Sequence, residues 1–384
     1  MRKNTIRFQS KRTSLALFVS IILFVRTQAE DSISVKWQDY SEDDDRIRVI
    51  SKYIGIDKTI NENFAIKAHA VHDAISGATP SGSPDDDGTV PLSNMTDERN
   101  SIVADFELSF GTRTTSFQYA RSKESDFLSL GYALTHAVEI NNRNTRISVG
   151  LSYVDDDLFA AFMPKTENKS STDLFFGVTQ VINRNTLFTA NLSHGESDGF
   201  LSDPYKSILQ NTELAPGLFL PLTYQENRPD NRTKDILYFN TKHYFEASRG
   251  TLDLGLRFFT DSWGIDSQTL DVEWYQSFGE NLRIVPKIRY YRQSGADFYT
   301  THLSNANFTP LDEPMGLFPH YSADYRLAAL DTVTYGVKAI YTLKQNIEFD
   351  ASFERYDMSG RDLDTPESAF PDANVLTLGF NFHF

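Results

Sequence analysis

Three groupings in this 384-residue chain bring together side chains of the types that chemistry needs. The first is His72-Asp73 with Ser76, a base, a carboxylate and a hydroxyl. Acyl transfer requires the base within hydrogen-bond reach of the hydroxyl and a third group to orient that base. On an extended chain residues 72 and 76 share a face but lie about 13 Å apart by strand rise. The pattern therefore makes Asp73, Ser76, Gly77 and Pro80 the residues that shape a strand's exit into a long loop, where such types favour turns. The second grouping is three aspartate triplets, Asp43–Asp45, Asp85–Asp87 and Asp155–Asp157. Carboxylate clusters suit hard cations, but no triplet has the spaced ligands of an EF-hand, and a solvated acidic rim is expected. Eight histidines offer no paired metal spacing. No enzymatic activity, metal or cofactor is expected.

The third grouping is the most extensive. Charged residues alternate with apolar ones along many short segments: Lys67 and His69 between Ile66, Ala68 and Ala70; Asp105 and Glu107 between Ala104, Phe106 and Leu108. Asp253 and Arg257 alternate with Leu252, Leu254, Leu256 and Phe258, while Asp271 and Glu273 alternate with Leu270, Val272 and Trp274. Lys287 and Arg289 are flanked by Ile284, Ile288 and Tyr290, and Glu348 and Asp350 by Ile347, Phe349 and Ala351. Alternation with period two places the two kinds on opposite faces of a strand. An ionic row on a lipid face costs about 2–4 kcal/mol per basic residue at mid-membrane. These twelve charged residues are therefore expected to line a polar lumen of mixed sign. Lys287 and Arg289 then stand against Asp271 and Glu273 on the neighbouring strand, either forming a constriction or pairing to fill the interior.

The element that must close such a sheet is the last one. Leu376, Leu378, Phe380, Phe382 and Phe384 alternate with Thr377, Gly379, Asn381 and His383, the pattern of the terminal assembly strand of outer-membrane barrels, which the barrel-assembly machinery reads. At the other end, Arg2, Lys3, Arg7, Lys11 and Arg12 precede the apolar run Leu15 to Val25 and the small-residue site Thr27-Gln28-Ala29. This arrangement predicts a secretory signal peptide over residues 1–29. Eleven apolar residues are too few for a membrane-spanning helix. These 29 residues carry six basic and no acidic side chains, so the net charge of −15 becomes −21 without them. That balance excludes nucleic acid as a partner. With no cysteine, a lipoprotein anchor, disulfides and thiolate metal sites are excluded.

Between the two ends the spacing predicts sixteen strands, at 33–40, 46–58, 64–76, 99–110, 114–122, 127–139, 145–154, 172–182, 186–197, 233–245, 251–262, 267–278, 282–293, 330–343, 346–357 and 374–384. Fourteen remain if 33–40 and 114–122 are not both strands. Tight polar connections rich in Asn and Gly, such as 141–144 and 279–281, tolerate the positive φ of hairpin turns. Long connections at 77–98, 155–171, 198–232, 294–329 and 358–373 alternate with them, the asymmetry of short inner turns and long outer loops. Aromatics near strand ends (Tyr153, Tyr244, Phe245, Phe258, Phe259, Trp263, Tyr290, Tyr291, Tyr341 and Tyr356) suggest interfacial girdles, though strands of any kind favour such residues. Pro286 inside a strand predicts a bulge or kink. The fold class is all-β: an up-and-down antiparallel transmembrane barrel occupying residues 30–384.

One segment is more specific. Asp73-Ala-Ile-Ser-Gly-Ala-Thr-Pro80, with Asp203-Pro-Tyr-Lys206 and Arg228-Pro-Asp-Asn-Arg232 as companions, resembles the outer-membrane proteins grouped as domain-of-unknown-function family 3570. The resemblance covers essentially the chain after residue 29 and implies an outer-membrane location in a Gram-negative bacterium, with no activity to carry over. Tyr205, Lys206 and Arg228 to Arg232 either fold into the barrel mouth or form a surface hairpin. The expected function is a porin-like passage for small polar solutes, because a barrel of this size leaves room for a pore. The alternative is a non-conducting barrel whose outer loops recruit a partner; a hydrolase comes third. Outer-membrane lipid and lipopolysaccharide are the expected surroundings.

Overall fold

The computed structural model describes residues 31–85, 87–215, 218–303 and 320–384. The expected signal peptide lies outside these residues, as do parts of the 77–98, 198–232 and 294–329 connections. Along the chain run β1 (Ser32–Glu42), β2 (Arg48–Asn61), β3 (Phe64–Pro80), β4 (Leu92–Phe110), β5 (Arg113–Lys123) and β6 (Phe127–Ile140). Then come β7 (Thr145–Leu158), β8 (Glu167–Asn183), β9 (Thr186–Gly199), β10 (Ser207–Ala215), β11 (Leu218–Gln225) and β12 (Asn231–Phe245). The remainder are β13 (Gly250–Asp261), β14 (Asp266–Phe278), β15 (Leu282–Gln293), β16 (His302–Leu303), β17 (Leu330–Leu343), β18 (Ile347–Gly360) and β19 (Ala373–His383). Sixteen of these, all but β10, β11 and β16, form one closed antiparallel barrel in sequence order. The alternative of fourteen strands is set aside. Both doubtful strands are present, and β1 pairs along its whole length with β19, from Ser32↔His383 to Glu42↔Ala373.

The hairpin turns form where Asn and Gly predict them. Asn141, Asn142, Arg143, Gly111 and Gly279 all take positive φ, which short polar residues and glycine tolerate best. Facing follows the alternation: Leu134, Leu151, Leu174, Phe176, Ile54, Phe353 and Leu378 are exposed on the outer wall, where lipid contact replaces a protein core. On the closing strand Phe380 packs tilted against Phe349 at 5.4 Å, and Phe382 stacks on Phe384 at 5.8 Å. The Phe384 amide donates to the carbonyl of Asp31 at 2.9 Å, tying the two ends of the barrel together. Gly379 is small for a reason, since a Cβ there would stand 2.0 Å from a carboxylate oxygen of Asp350.

Three expectations are corrected. Pro286 introduces no bulge: Glu273↔Lys287 and Gln276↔Ile284 keep one register across it. A proline placed with its missing N–H between ladder bonds interrupts pairing without inserting a residue. Strands extend beyond the expected loop boundaries, so the connection 77–98 shrinks to 81–91, 155–171 to 159–166, and 358–373 to 361–372. Asp155–Asp157 therefore lie on β7 rather than in a loop. Finally, of the girdle residues, Tyr153, Phe245, Phe258, Tyr290 and Tyr341 face outward, but Trp263 is only 3% exposed, and Phe259, Tyr291 and Tyr356 pack against loop residues or line the lumen.

Adjacent positions on β7 give a direct check of facing. Leu151→Arg puts a charge on the lipid wall and is expected to lower unfolding free energy in lipid vesicles by about 2–4 kcal/mol. Ser152→Arg, on the inner face within reach of Asp173 (3.4 Å from the serine hydroxyl), is expected to change it by less than about 1 kcal/mol. Denaturant titration followed by tryptophan fluorescence measures both.

Candidate functional site at the barrel mouth

Every charged residue expected to line the lumen occupies an inner-face position, and the register pairs most of them. Arg289 lies 3.3 Å from Asp271 on the adjacent strand, whereas Lys287 reaches Glu354, two strands away, at 2.5 Å. Glu273 instead accepts the Tyr275 hydroxyl at 2.6 Å. Asp253 takes Lys242 at 2.7 Å, Glu348 takes Arg283 at 2.9 Å, and Asp350 takes Lys338 at 3.1 Å. Lys67 lies 3.8 Å from Glu107, and Asp105 accepts the Gln118 amide at 2.7 Å. His69 stands beside Gly55, where a Cβ would come within 2.8 Å of its Nδ1, and Arg257 stacks over Phe259 at 5.6 Å. Asp271, Glu273, Lys287 and Arg289 converge with Glu354, Tyr40, Glu42 and Tyr356 on a cavity of about 480 Å³.

The roof of that cavity is made by outer loops. Tyr325 and Arg326, from the connection after β15, line it together with the strand residues. Behind Arg326 lies a buried cluster of three carboxylates and three cations drawn from two loops. Asp324 accepts from Arg326 at 2.9 Å and from Arg228 at 2.8 Å. Glu226 accepts from Arg228 at 3.0 Å and from the Ser322 hydroxyl at 2.6 Å. Arg326 also reaches Asp203 at 2.9 Å. Lys206, 2% exposed, donates its ammonium to the carbonyl of Pro80 and lies 5.9 Å from the Tyr325 ring. Equal numbers of acidic and basic side chains let pairing offset part of the cost of burial in this water-poor site. Burial alone would raise Asp324, yet Arg326, Lys206 and Arg228 hold its carboxyl well below the usual range. For Glu226 burial prevails over Arg228, with Asp203 and Asp324 adding repulsion, and its carboxyl is pushed up.

The 73–83 segment is the seat for this layer. Asp73, 1% exposed, accepts from Arg99 at 2.6 Å on the inner face, while His72 and Ser76 face outward, the His72 ring bonded to Asn100 at 3.0 Å. The strand continues straight through Ser76, so hydroxyl, base and carboxylate do not converge. The segment does not form a loop exit either: residues 73–80 are strand. Gly77, at φ +116°, passes so close to β2's start that a Cβ would meet the Arg46 carbonyl at 2.0 Å. Beyond Pro80, the Ser207 amide donates to the Ser81 carbonyl at 2.9 Å and the Leu209 amide to the Ser83 hydroxyl at 2.7 Å. Tyr205–Lys206 and Arg228 thus belong to the mouth rather than to a surface hairpin, and Arg232 packs 4.3 Å from the Trp263 ring. Three hydrophobic clusters complete the layer, centred on Tyr325–Phe370, Ile208–Tyr321 and Trp263–Leu327.

Sequence reasoning missed Asp324, Tyr325 and Arg326, which carry no periodic signal before β17. One member of each aspartate triplet has a protein partner: Asp43 pairs with Arg355 at 2.8 Å, Asp156 with Lys169 at 2.8 Å, and Asp87 caps the Thr89 amide at 2.9 Å. A different acidic trio, Asp97, Glu124 and Asp126, brings carboxylate oxygens within 4.8 Å of one another at the rim, with the Tyr205 hydroxyl donating to Asp126.

A family model described as "Protein of unknown function (DUF3570)" matches residues 18–166 and 159–375. No curated protein matches the chain. Among solved structures, CdiB from Acinetobacter baumannii is similar at TM-score 0.50 and 11% identity, over 93% of this chain and 60% of that one. A bacterial polysaccharide outer membrane secretin is similar at TM-score 0.49 and 8% identity, over 94% and 100%. The siderophore receptor PirA from Pseudomonas aeruginosa is similar at TM-score 0.42 and 10% identity, over 87% and 57%. The chain spans about three fifths of the length of PirA and CdiB. At such identities the likeness is one of fold.

Two outcomes test the mouth. Asp324→Asn is expected to expose the loops to protease far more than Glu226→Gln. The lowered Asp324 pKa contributes stability above its unfolded value that is lost only as pH falls through the folded one; the raised Glu226 pKa has the opposite sign, favouring the folded loops as pH falls. Gly77→Ala combines strain with a backbone clash, and a cost of about 1–3 kcal/mol is expected as a lower melting point in heat-modifiability gels.

Proposed function

The chain belongs to the family described as "Protein of unknown function (DUF3570)", and from that premise we propose that it is an outer-membrane passage for small polar solutes, roofed by its own loops. The observation that carries this reading is the cavity of about 480 Å³ beneath the loop layer, lined by Asp271, Glu273, Lys287, Arg289 and Glu354. The paired charges of both signs make this wall polar, so that water fills the cavity more readily than it would one walled by apolar side chains. A sixteen-strand barrel is of the size that holds an aqueous channel in its lumen. The location itself is supported by the apolar outer wall and the closed sheet, which alone satisfies strand backbone groups in lipid.

The route of passage runs through chemistry already described. A solute entering from outside meets the roof of Tyr325 and Arg326, then the paired ring of Arg289–Asp271 and Lys287–Glu354. Those pairs offer donors and acceptors side by side, which suits zwitterionic or hydroxylated solutes better than ions of one sign. No catalytic step enters this reading, because Ser76, His72 and Asp73 do not converge along the extended strand. A second reading is favoured by the buried cluster at Asp324: a roof this well packed suits a barrel that binds a partner through its loops without conducting.

Planar bilayers separate the two. The wild-type barrel is expected to give small discrete conductance steps, and Arg228→Ala, which leaves Glu226 and Asp324 buried without their shared guanidinium, is expected to enlarge them several-fold. Removing one partner of such a buried pair costs about 3–5 kcal/mol, enough to release the roof. Silence from both proteins, with the barrels intact by heat-modifiability, would leave the passage reading untenable.

A further inference from the structure

The outer wall is unevenly charged near its extracellular rim. On β7, β9, β12 and β14 the outward positions include Asp155, Asp157, Glu196, Asp235 and Asp266. From β15 round to β2 the outward cations have carboxylate partners: Arg292 with Asp331 at 3.0 Å, Arg355 with Asp43 at 2.8 Å, and Arg48 with Asp39 at 2.5 Å. The sector from β2 to β5 differs from both. Lys52, Arg121 and Lys123 are exposed there, and none enters an ion pair among the described residues.

The register sets these residues in one row. Lys52 faces His72, His72 faces Asn100, and Asn100 faces Lys123 across four consecutive strands. Three interstrand spacings make the row about 14 Å long. Arg121 lies one outward position lower on β5, opposite Ile102, which in turn faces Ala70 and, beyond it, Ile54. Ile54 and Ile102 are exposed, so the row stands on the upper edge of the apolar band. Trp37 faces Lys52 from β1, an indole at the height where amphipathic rings settle. Of the acids at this height, Glu98 sits one outward position beyond the row, on the side away from the membrane, while Asp157 and Asp155 stand two strands from Lys123 and Arg121, across Leu128 and Leu130. Long basic stems lying on apolar wall with their heads at its boundary are the geometry of side chains that meet headgroups.

A chain with 52 acidic and 37 basic residues that leaves three cations unpaired in one place presents a site for an anion. The height of the row and the apolar surface directly below it decide which anion. We propose that Lys52, Arg121 and Lys123 bind the phosphates of a lipopolysaccharide molecule in the outer leaflet, its acyl chains lying along Ile54 and Ile102. A soluble phosphate would use the cations but not the wall beneath them. This site is independent of whether the lumen conducts.

The test is native mass spectrometry of the detergent-solubilised barrel titrated with bisphosphorylated lipid A and, separately, with the same lipid stripped of phosphate. The wild-type barrel is expected to hold one phosphorylated lipid. The triple variant K52Q/R121Q/K123Q is expected to lose about 100-fold in affinity, as three surface cations contribute to an anionic membrane. The phosphate-free lipid should bind wild type no better than the phosphorylated lipid binds the triple variant, and inorganic phosphate at millimolar concentration should not displace the lipid. K52R/K123R, which keeps the charge, should retain wild-type affinity, and D155N/D157N, which removes carboxylates two strands from Arg121 and Lys123, should bind the phosphorylated lipid no more weakly than wild type. All variants are checked for folding by heat-modifiability. Triple-variant affinity within twofold of wild type, equal binding of the phosphate-free lipid, or displacement by inorganic phosphate would each overturn the proposal.

Discussion

In hydrocarbon a strand's backbone N–H and C=O groups have no water to turn to, so every one of them must be paired within the sheet. That constraint makes the β1–β19 seam the condition on which the rest of this protein depends. The seam joins residues more than three hundred positions apart, from Ser32↔His383 to Glu42↔Ala373, and the Phe384 amide extends it to Asp31. Once it is closed, period-two alternation becomes a division between outside and inside around the whole ring. The apolar wall, the ionic lumen and the rim charges are all consequences of one parity held through sixteen strands.

The mouth obeys a different economy. Loops cannot satisfy one another with a ladder, so this layer is held by side chains: three hydrophobic clusters and a charge-balanced group of Asp203, Glu226, Asp324, Lys206, Arg228 and Arg326. A buried network of this kind is weak evidence for net stability but strongly penalises the loss of any one member. It therefore specifies how the loops pack. The 73–83 segment supports it from the wall by backbone contacts, with the Pro80 carbonyl receiving Lys206 and Ser81 and Ser83 receiving the strand that follows. The motif that first suggested a catalytic serine is a seat for a loop.

Much of the barrel was legible because lipid and water impose a simple code on a strand. Leu252, Leu254, Leu256 and Phe258 against Asp253 and Arg257, or Phe349 and Phe353 against Glu348 and Asp350, announce their faces without reference to any partner. Hairpins were legible for a similar local reason, since Asn141, Asn142 and Gly279 take the positive φ that their turns require. The errors lie where local rules stop. Ser76, Gly77 and Pro80 are turn formers by type, yet the strand continues to Pro80 because the β4 ladder holds it extended, with β2 pairing as far as Ser76. Trp263 reads as an interfacial ring, yet it is buried by Arg232 of β12 and by Phe298 from the connection after β15.

By itself, then, the sequence determined the alternation of faces and the polarity of the lumen, because each depends only on residues two apart along one strand; it left sixteen strands or fourteen, and the β1–β19 pairing decided for sixteen. Tertiary structure alone decided which charges meet. Lys287 reaches Glu354 rather than the adjacent Glu273, and Asp324, Arg326, Glu226 and Arg228 come together from two loops nearly a hundred residues apart. The same holds for the row of Lys52, His72, Asn100 and Lys123, which exists only once four strands share a register. Ion pairing depends on distances across the barrel, and those are fixed by ring closure rather than by any pattern within a strand.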